Sequence, residues 1–296
     1  MPLVLATTTP GEPGSEALAE PEIFASLQGE GPSTGKPCAF VRLSRCNLAC
    51  TWCDTAYTWR FEGDNRPHRD GIAYERAANQ VTLTEADAAA RIAALGQSRL
   101  VVTGGEPLLQ AGALARMLEH LNTLTRSRVG GSPEPQAPAS ATLGPRLPEW
   151  QSILSGRPGG QPKGGEAIQV EIETNGTVAP PPALDALVHQ YNVSPKLAHS
   201  GNPAELALLP ERLAHWAREP RAIFKFVVAE PADVEEVLDL AAVHAIPRAR
   251  IWLMAEGTDA ATLAARERWL AQLCLEHSLT LSKRLHIELY GDTRGT

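Results

Sequence analysis

The chain has 296 residues, of which 43% are hydrophobic and only 5% aromatic, with 24 glycines and 24 prolines. A chain of this length can bury its own core, so neither a disulfide-stapled scaffold nor a disordered protein is expected. Lysine and arginine total 27 against 34 aspartate and glutamate residues, a net charge of −7. Nonspecific binding of nucleic acid needs a basic surface, so no nucleic-acid partner is expected.

The N-terminal segment has the features of neither a targeting signal nor a membrane anchor. No apolar run reaches the ~18 residues of a spanning helix, and no basic stretch precedes the short apolar run at the start. Residues 1–20 are rich in proline, threonine and glycine and predict a flexible tail. The sequence therefore predicts a cytoplasmic protein without membrane contact, with a single folded domain over residues 21–296.

From residue 40 onward, strand patterns and helix patterns alternate. The predicted strands cover residues 40–43, 100–102, 168–172, 191–193, 223–228, 251–253 and 285–289. The predicted helices cover residues 84–95, 114–124, 184–189, 233–244 and 260–277, and Thr84 can cap the first of them. A stretch at about 126–166, dominated by glycine, proline, serine and alanine, predicts an insertion with too few apolar residues to enclose a core.

Repeated β-then-α units predict parallel strands joined by right-handed crossovers, in a doubly wound sheet or in a partial or complete barrel. In both architectures the functional site lies where the strands end. Small and polar residues follow four of the predicted strands, at residues 42–53, 103–107, 173–176 and 194–196. These four strand ends predict one shared cleft.

Three of the five cysteines lie in one loop, with the spacing Cys46-x3-Cys50-x2-Cys53. A structural zinc ion would need a fourth cysteine or histidine at a familiar paired spacing, and the nearest candidate, Cys38, lies eight residues upstream of Cys46. In a 4Fe-4S cluster, three protein thiolates leave one iron free to bind another molecule, which a cluster that only carries electrons does not need. The spacing therefore favours a 4Fe-4S cluster with an open iron.

This loop, CNLACTWCDT, resembles the signature of the radical S-adenosylmethionine (SAM) enzymes, in which the open iron binds the amino and carboxylate groups of SAM. Gly104-Gly105-Glu106 is similar to a glycine-rich strand end of the same enzymes, where the missing Cβ lets the backbone approach SAM. The resemblance implies an α/β fold, a partial or modified (β/α)6 barrel with parallel strands. It also implies a 4Fe-4S cluster on Cys46, Cys50 and Cys53, with SAM as a second cofactor.

Further segments resemble the 7-carboxy-7-deazaguanine synthase family, from about residue 22 to residue 296. They are residues 22–32 (EIFASLQGEGP), 40–43 (FVRL), 104–110 (GGEPLLQ), 173–176 (ETNG), 194–196 (SPK) and 284–296 (RLHIELYGDTRGT). Enzymes of that family are carbon–nitrogen lyases that convert 6-carboxy-5,6,7,8-tetrahydropterin to 7-carboxy-7-deazaguanine with loss of ammonia, in queuosine and 7-deazapurine biosynthesis. The resemblance implies this reaction for the chain, with a radical borne by the cofactor and no catalytic side chain.

The resemblance also implies which residues form the site. The pterin contacts fall on Leu27, Gln28, Gly29, Glu30, Arg42, Thr103, His286 and Thr296. The SAM contacts fall on Trp52, Cys53, Asp54, Gly105, Glu106, Ser194, Pro195, Lys196, Met254 and Glu256. The hydroxyl of Thr55 is implied to bind a magnesium ion that also contacts the substrate. A carboxypterin has a mixed polar edge and one carboxylate, so Gln28 and Glu30 suit the edge and Arg42 suits the carboxylate.

Two alternatives stay open. A radical SAM activase of a glycyl radical enzyme shares the cysteine spacing but is expected to lack the LQGEGP segment and Arg42. A zinc-binding interaction module without catalysis would retain zinc and stay colourless after reconstitution with iron and sulfide. Under the family resemblance, the expected partners are the pterin substrate, a flavodoxin- or ferredoxin-type electron donor, and a second copy of the chain in a homodimer.

Overall fold

The computed structural model describes residues 2–9, 19–127 and 167–296. Most of the predicted insertion at about 126–166, and residues 10–18 of the predicted tail, lie outside the described residues. Within the described part, ten strands form one sheet. They are β1 (Leu3–Ala6), β2 (Ile23–Leu27), β3 (Pro37–Leu43), β4 (Gln80–Leu83), β5 (Arg99–Gly104), β6 (Gln169–Thr174), β7 (Gln190–Val193), β8 (Ala222–Val228), β9 (Ile251–Ala255) and β10 (Thr280–Ser282).

The strand order is β10-β9-β8-β7-β6-β5-β3-β1-β4, with β2 paired to β3 beside β1. The pairings that join β3 and β5–β10 to one another are all parallel. The pairings of β1, β2 and β4 are antiparallel. This arrangement confirms the predicted α/β fold with parallel strands, as a partial barrel.

Helices follow the parallel strands along the chain. They are α1 (Arg76–Asn79), α2 (Glu85–Ala94), α3 (Ala111–Ser127), α4 (Pro182–Asp185), α5 (Ala204–Ala207), α6 (Pro210–Arg218), α7 (Pro231–His244), α8 (Ala260–His277) and α9 (Leu285–Tyr290). The predicted cap of α2 is present, because the Thr84 side chain accepts a hydrogen bond from the backbone N–H of Asp87 at 3.1 Å. No helix of the described residues is long and apolar enough to cross a membrane.

The two faces of the sheet differ in chemistry, because side chains alternate along each strand. On β8, Phe224 and Phe226 are fully buried in the hydrophobic core, while Lys225 between them lines a cavity on the other face. On β3, Val41 belongs to the core and Arg42 to the cavity. The helices cover the core face, where α3 contributes Leu114, Met117, Leu118 and Leu121. The fold thus positions polar side chains along one face of otherwise apolar strands.

The prediction of a flexible tail over residues 1–20 is wrong for its first part. Leu3–Ala6 form β1, and all four side chains are buried. Leu5 is fully buried and lies opposite Leu43 of β3. A strand buried on both faces appears in a sequence as a short continuous apolar run without periodicity. The LVLA run has this form, and because prolines and threonines follow it directly, the composition of the segment predicted a tail and not a strand.

The prediction of a strand over residues 285–289 is also wrong, because Leu285–Tyr290 form α9. The alternating sequence LHIEL fits a period of two, but leucines four residues apart fit a helix equally well. The helix predicted over 184–189 is shorter, ending at Asp185. The sequence analysis also missed β2, β4 and β10, which have only three to five residues each.

We expect Leu5→Ala to lower the free energy of unfolding by about 2–5 kcal/mol, the usual cost of truncating a buried leucine. Urea denaturation checks this, with Val243→Ala as the control, since Val243 is 76% exposed and its truncation should change stability by less than about 0.5 kcal/mol. Equal stability of the Leu5→Ala variant and the unmodified protein would contradict the position of β1 in the core.

Candidate active site

One cavity of about 350 Å³ lies at the carboxyl ends of the parallel strands. Each of six neighbouring strands, or the residue directly after it, contributes a lining side chain: Arg42, Thr103, Glu173, Ser194, Lys225 and Met254. The cysteine loop that follows β3 forms another wall, and Cys46, Cys50 and Cys53 all line the cavity. The predicted shared cleft is therefore present in the structure.

The end of β5 packs directly against the cysteine loop. Gly104 has a φ of +127°, and a Cβ there would collide with the backbone of Leu43. A Cβ on Gly105 would collide with the carbonyl of Arg45, the residue before the first cysteine of the loop. Only glycine permits this contact, so the two glycines determine how closely the loop approaches the sheet.

Each of the three loop sulfurs accepts an N–H hydrogen bond from a side chain. Trp59 Nε1 lies 3.4 Å from Cys53 Sγ, Asn202 Nδ2 lies 3.3 Å from Cys50 Sγ, and the weakest contact, from Asn175 Nδ2 to Cys46 Sγ, spans 3.9 Å. Thiolates bound to an iron–sulfur cluster accept such bonds. The donor set therefore fits a cluster held by these cysteines.

Burial dominates the acidity of the free thiols. It raises the pKa of Cys46 to about 12 and that of Cys53 to about 11, and it raises the pKa of Cys50 as well. The cysteines are therefore neutral unless a metal centre binds them as thiolates. No three histidine, cysteine, aspartate or glutamate side chains in the described part of the chain are arranged to hold a single metal ion.

An aromatic surface borders the cysteine loop inside the cavity. Trp52 stacks on His199 with ring centroids 5.3 Å apart, and Lys196 Nζ lies 5.7 Å from the Trp52 ring centroid. Lys196 also donates a 2.7 Å hydrogen bond to Ser194 Oγ. The Trp52 Nε1–H is buried and has no hydrogen-bond partner among the described residues. A buried donor without a partner beside a cavity is the feature expected where a ligand accepts the hydrogen bond.

Buried charges also line the cavity. Lys225 forms ion pairs with Glu30 and, at 3.7 Å, with Glu173. Glu173 in turn accepts hydrogen bonds from Thr103 Oγ1 at 2.7 Å and from Gln28 Nε2 at 3.4 Å. Burial alone would raise the pKa of the Glu30 carboxyl, but Lys225 and Arg284 (from the segment before α9) outweigh burial and hold that pKa well below its usual value. Glu30 is therefore presented to the cavity as an ionised carboxylate, and Glu173 lies beside it as a hydrogen-bond acceptor.

Arg42 extends from β3 into the cavity, and an ion pair with Glu22 holds its guanidinium. Its Nε donates to Glu22 at 2.8 Å, and the Tyr57 hydroxyl donates to the same carboxylate at 3.0 Å. Among the described residues, the terminal nitrogens of Arg42 have no hydrogen-bond partner. The guanidinium can therefore bind an anion in the cavity.

Gly29 and His286 meet at the edge of the cavity. A Cβ on Gly29 would collide with the His286 ring, so only glycine permits this contact. Arg284 connects three segments at this edge. It forms ion pairs with Glu30 and with Asp54, and it donates a hydrogen bond to the carbonyl of Gly257. Thr55 and Thr296 also line the cavity.

Comparison with known proteins adds independent evidence about this site. Residues 27–129 match a family model described as a 4Fe-4S single cluster domain. A relative named 7-carboxy-7-deazaguanine synthase, from Pyrobaculum aerophilum, is 34% identical over 276 residues, which cover 93% of this chain and 95% of the relative. The chain belongs to the 7-carboxy-7-deazaguanine synthase family.

A second relative with the same name, from Hyperthermus butylicus, is 31% identical over 270 residues, which cover 90% of each chain. Among solved structures, QueE from Escherichia coli superposes with a TM-score of 0.54 at 24% identity, covering 89% of this chain and 92% of that chain. This structural likeness supports the fold. Membership of the family confirms the predicted 4Fe-4S cluster and SAM as cofactors, and it gives no support to an activase or a zinc-binding module.

The structure brings most of the predicted site residues into one cavity. These are Leu27, Gln28, Gly29, Glu30, Arg42, Cys46, Cys50, Trp52, Cys53, Asp54, Thr55, Thr103, Gly105, Ser194, Lys196, Met254, His286 and Thr296. Three predicted SAM residues do not line it, namely Glu106, Pro195 and Glu256, and their contacts with SAM stay a prediction.

Bonds to other parts of the protein hold the side chains of Glu106 and Glu256. The fully buried carboxylate of Glu106 accepts hydrogen bonds from the backbone N–H groups of Leu108 and Asn175, at 2.9 and 2.7 Å, so it joins the ends of β5 and β6. Glu256 is bound by Arg69 at 2.5 Å and also by Arg266. Pro195 lies between two lining residues but does not itself line the cavity.

The sequence analysis missed Glu173, Lys225 and Arg284 as site residues. Glu173 could have been predicted as a site residue, because it begins the ETNG motif at a predicted strand end. Lys225 also carried a signal, since a single charge inside the apolar run IFKFVV is expensive to bury without a partner or a function. Arg284 begins the family-like segment RLHIELYGDTRGT, but nothing in the sequence indicates its partners Glu30 and Asp54.

A pH-dependent stability should follow from Glu30. Its pKa in the folded protein lies below the value of 4.5 in the unfolded chain, so the ionised carboxylate stabilises the fold above pH 4.5, and this stabilisation is lost as the pH falls below that value. We expect Glu30→Gln to be less stable than the unmodified protein at pH 7, with a difference that shrinks as the pH falls toward about 3.5. Urea unfolding across this range measures the difference.

The control for this experiment is Glu235→Gln, at an exposed position on α7, which should show no such trend. A stability deficit of Glu30→Gln that stays the same from pH 7 to about pH 3.5 would contradict a lowered pKa for Glu30.

Proposed function

We propose that this chain converts 6-carboxy-5,6,7,8-tetrahydropterin to 7-carboxy-7-deazaguanine with release of ammonia, toward queuosine and related 7-deazapurines. The observation that carries the proposal is a single cavity that is lined both by the cysteine loop and by Arg42, Glu30 and Glu173. The names of relatives that match nearly the full length of the chain support the same reaction.

The polar groups of the cavity suit a carboxypterin. The pyrimidine edge of a pterin presents N–H donors and a carbonyl acceptor, and the carboxyl oxygens of Glu30 and Glu173 can accept from the donors. The amide of Gln28 can adapt to either kind of group. Arg42 offers its unpaired terminal nitrogens to the carboxylate of the substrate, a pairing that is charge-assisted.

Cys46, Cys50 and Cys53 would hold the cluster, which together with SAM would supply the radical chemistry needed to abstract hydrogen from the pterin. The residues of this chain orient the reactants around that step. Trp52 and Lys196 form the aromatic and cationic surface on which we place the adenosine and methionine parts of SAM. Glu30, Glu173 and Arg42 hold the two ends of the pterin, so its C6 faces the cysteine loop.

Magnesium is part of the proposal. The Thr55 hydroxyl lines the cavity two residues after the last cluster cysteine and lies 3.7 Å from Cys53 Sγ. Magnesium keeps several water ligands and needs few protein ligands, so one hydroxyl together with the substrate carboxylate can hold it. We also propose a flavodoxin- or ferredoxin-type electron donor, a homodimer and a cytoplasmic location.

The decisive experiment is anaerobic reconstitution of the full chain with iron and sulfide, followed by incubation with SAM, magnesium, a reductant and the carboxypterin. We expect a brown protein that forms 7-carboxy-7-deazaguanine, and we expect Cys50→Ala to lose the cluster and all turnover. Cys274→Ala is the matched control, because Cys274 is buried in the core away from the cavity and should keep both. A reconstituted protein that cleaves SAM without converting the pterin would contradict the proposal.

Removing the cation at position 42 should weaken substrate binding. We expect Arg42→Met to raise the KM for the carboxypterin about 10- to 100-fold, because a hydrogen bond to a charged group contributes about 1.5–3 kcal/mol. Arg42→Lys should give an intermediate KM, since lysine keeps the charge but not the fork of donors. Steady-state kinetics with varied substrate measures the effect.

Two further variants separate binding from folding in this test. Glu22→Gln combined with Arg42→Met avoids leaving the fully buried Glu22 carboxylate unpaired. Arg91→Met removes an arginine from an exposed pair with Glu20 and should leave the KM unchanged. An unaltered KM in both Arg42→Met backgrounds would show that Arg42 does not bind the substrate.

A further inference from the structure

We propose that Asn202 and Trp59 set the reduction potential of the cluster through N–H hydrogen bonds to the sulfurs of Cys50 and Cys53. The inference rests on the proposed function, because it concerns the cluster that this function requires. Neither residue takes part in the predicted pterin or SAM contacts. Both are positioning residues, since they act through the cysteines.

The orientation of the Asn202 amide is determined by its neighbours. Its Oδ1 accepts a 2.8 Å hydrogen bond from the backbone N–H of Ala49, the residue before the second loop cysteine. This bond turns the Nδ2 end of the amide toward Cys50 Sγ, at 3.3 Å, and toward Ser200 Oγ, at 3.1 Å. The donor therefore points at the sulfur and cannot flip without losing the bond to Ala49.

The segment that carries Asn202 is held against the cysteine loop by its backbone. Gly201 has a φ of +76°, and a Cβ there would collide with the Thr51 side chain. The backbone N–H of Thr51 donates a 2.9 Å hydrogen bond to the carbonyl of Ser200. Two contacts from consecutive residues thus place Asn202 beside Cys50.

Several contacts also fix the position of the Trp59 side chain. Its ring is 5% exposed and donates from Nε1 to Cys53 Sγ at 3.4 Å. The edge of the ring meets His68 with centroids 6.2 Å apart, and the Arg66 guanidinium lies 4.7 Å from the ring centroid. His68 Nε2 is also 2.8 Å from the carbonyl oxygen of Cys53. The indole therefore packs on the same turn of chain that supplies the third cysteine.

The chemistry of sulfur explains what these donors do. A neutral thiol is a weak acceptor, so the donors gain little in its presence. A cluster thiolate carries negative charge, and each N–H dipole has its positive end directed at it. Reduction adds a further electron to the cluster, so the same dipoles stabilise the reduced form more than the oxidised form and raise the potential. Burial strengthens this interaction, because the effective dielectric constant is low.

The test is a redox titration of the reconstituted full chain, with dithionite as reductant and EPR of the reduced cluster as readout. We expect Trp59→Phe, which keeps the ring but loses the N–H, to make reduction about tenfold less favourable. That change is a shift of about 59 mV to lower potential for a one-electron couple. Asn202→Ala should shift the potential in the same direction. Asn202→Asp keeps the acceptor for Ala49 and is the second variant if alanine loosens the loop. It loses the N–H donor and adds a negative charge, so a potential no lower than that of the unmodified protein would contradict the inference.

Two controls isolate the N–H to sulfur bonds. Trp269→Phe removes an indole N–H from α8, outside the cavity, and should leave the potential unchanged. Ser200→Ala removes the second acceptor of the Asn202 amide without removing the donor, and should not lower the potential.

The outcomes distinguish this inference from the proposed function. Variants that hold a full complement of iron and sulfide yet titrate at the wild-type potential would overturn the inference, and the proposed function would stand. A drop of equal size in the two controls would also overturn it. Failure of the unmodified chain to assemble a 4Fe-4S cluster would overturn both.

Discussion

The cavity exists because charges buried on one face of the sheet neutralise one another. Lys225 lies on β8 between core phenylalanines, where an unpaired ammonium group would cost several kcal/mol. Glu30 and Glu173 supply the opposite charge from two other parts of the chain. Glu30 also pairs with Arg284, from the segment before α9. One carboxylate thus links the loop after β2, the centre of the sheet and the C-terminal segment, so the charged wall forms only when all three are in place.

A second constraint is steric and determines where the two walls meet. The glycines at the end of β5 allow the cysteine loop to lie against the strand with no side chain between them. Thr103 and Gly105 are only two residues apart, yet Thr103 bonds to Glu173 on the charged wall while Gly105 contacts the residue before Cys46. This short stretch of backbone therefore links the charged residues of the cavity to the cysteine loop. A larger residue at either glycine would move one wall relative to the other.

Much of this architecture could be read from the sequence, because local patterns encode it. The β-then-α alternation, the cap at Thr84 and the cysteine spacing depend on residues close together in the chain. What escaped prediction depends on distant partners. Arg284 gains its role only when the fold brings it to Glu30 and Asp54. The Glu106 carboxylate likewise gains a distant partner, because the backbone N–H of Asn175 donates to it. Strand β1 was missed because a four-residue apolar run has no period to detect.

The two walls of the cavity use different kinds of polar group, and the difference suits what each must do. Full charges face the space assigned to the pterin, where a fixed carboxylate and a fixed pattern of donors need strong, directional partners. Neutral amide and indole N–H groups face the cysteine sulfurs. A lysine or arginine at those positions would attract a reduced, more negative cluster strongly and hold the electron there. A neutral dipole favours reduction only modestly, so the electron could still pass from the cluster to bound SAM. The use of Asn and Trp beside the sulfurs is therefore consistent with a cluster that must accept an electron and also release it.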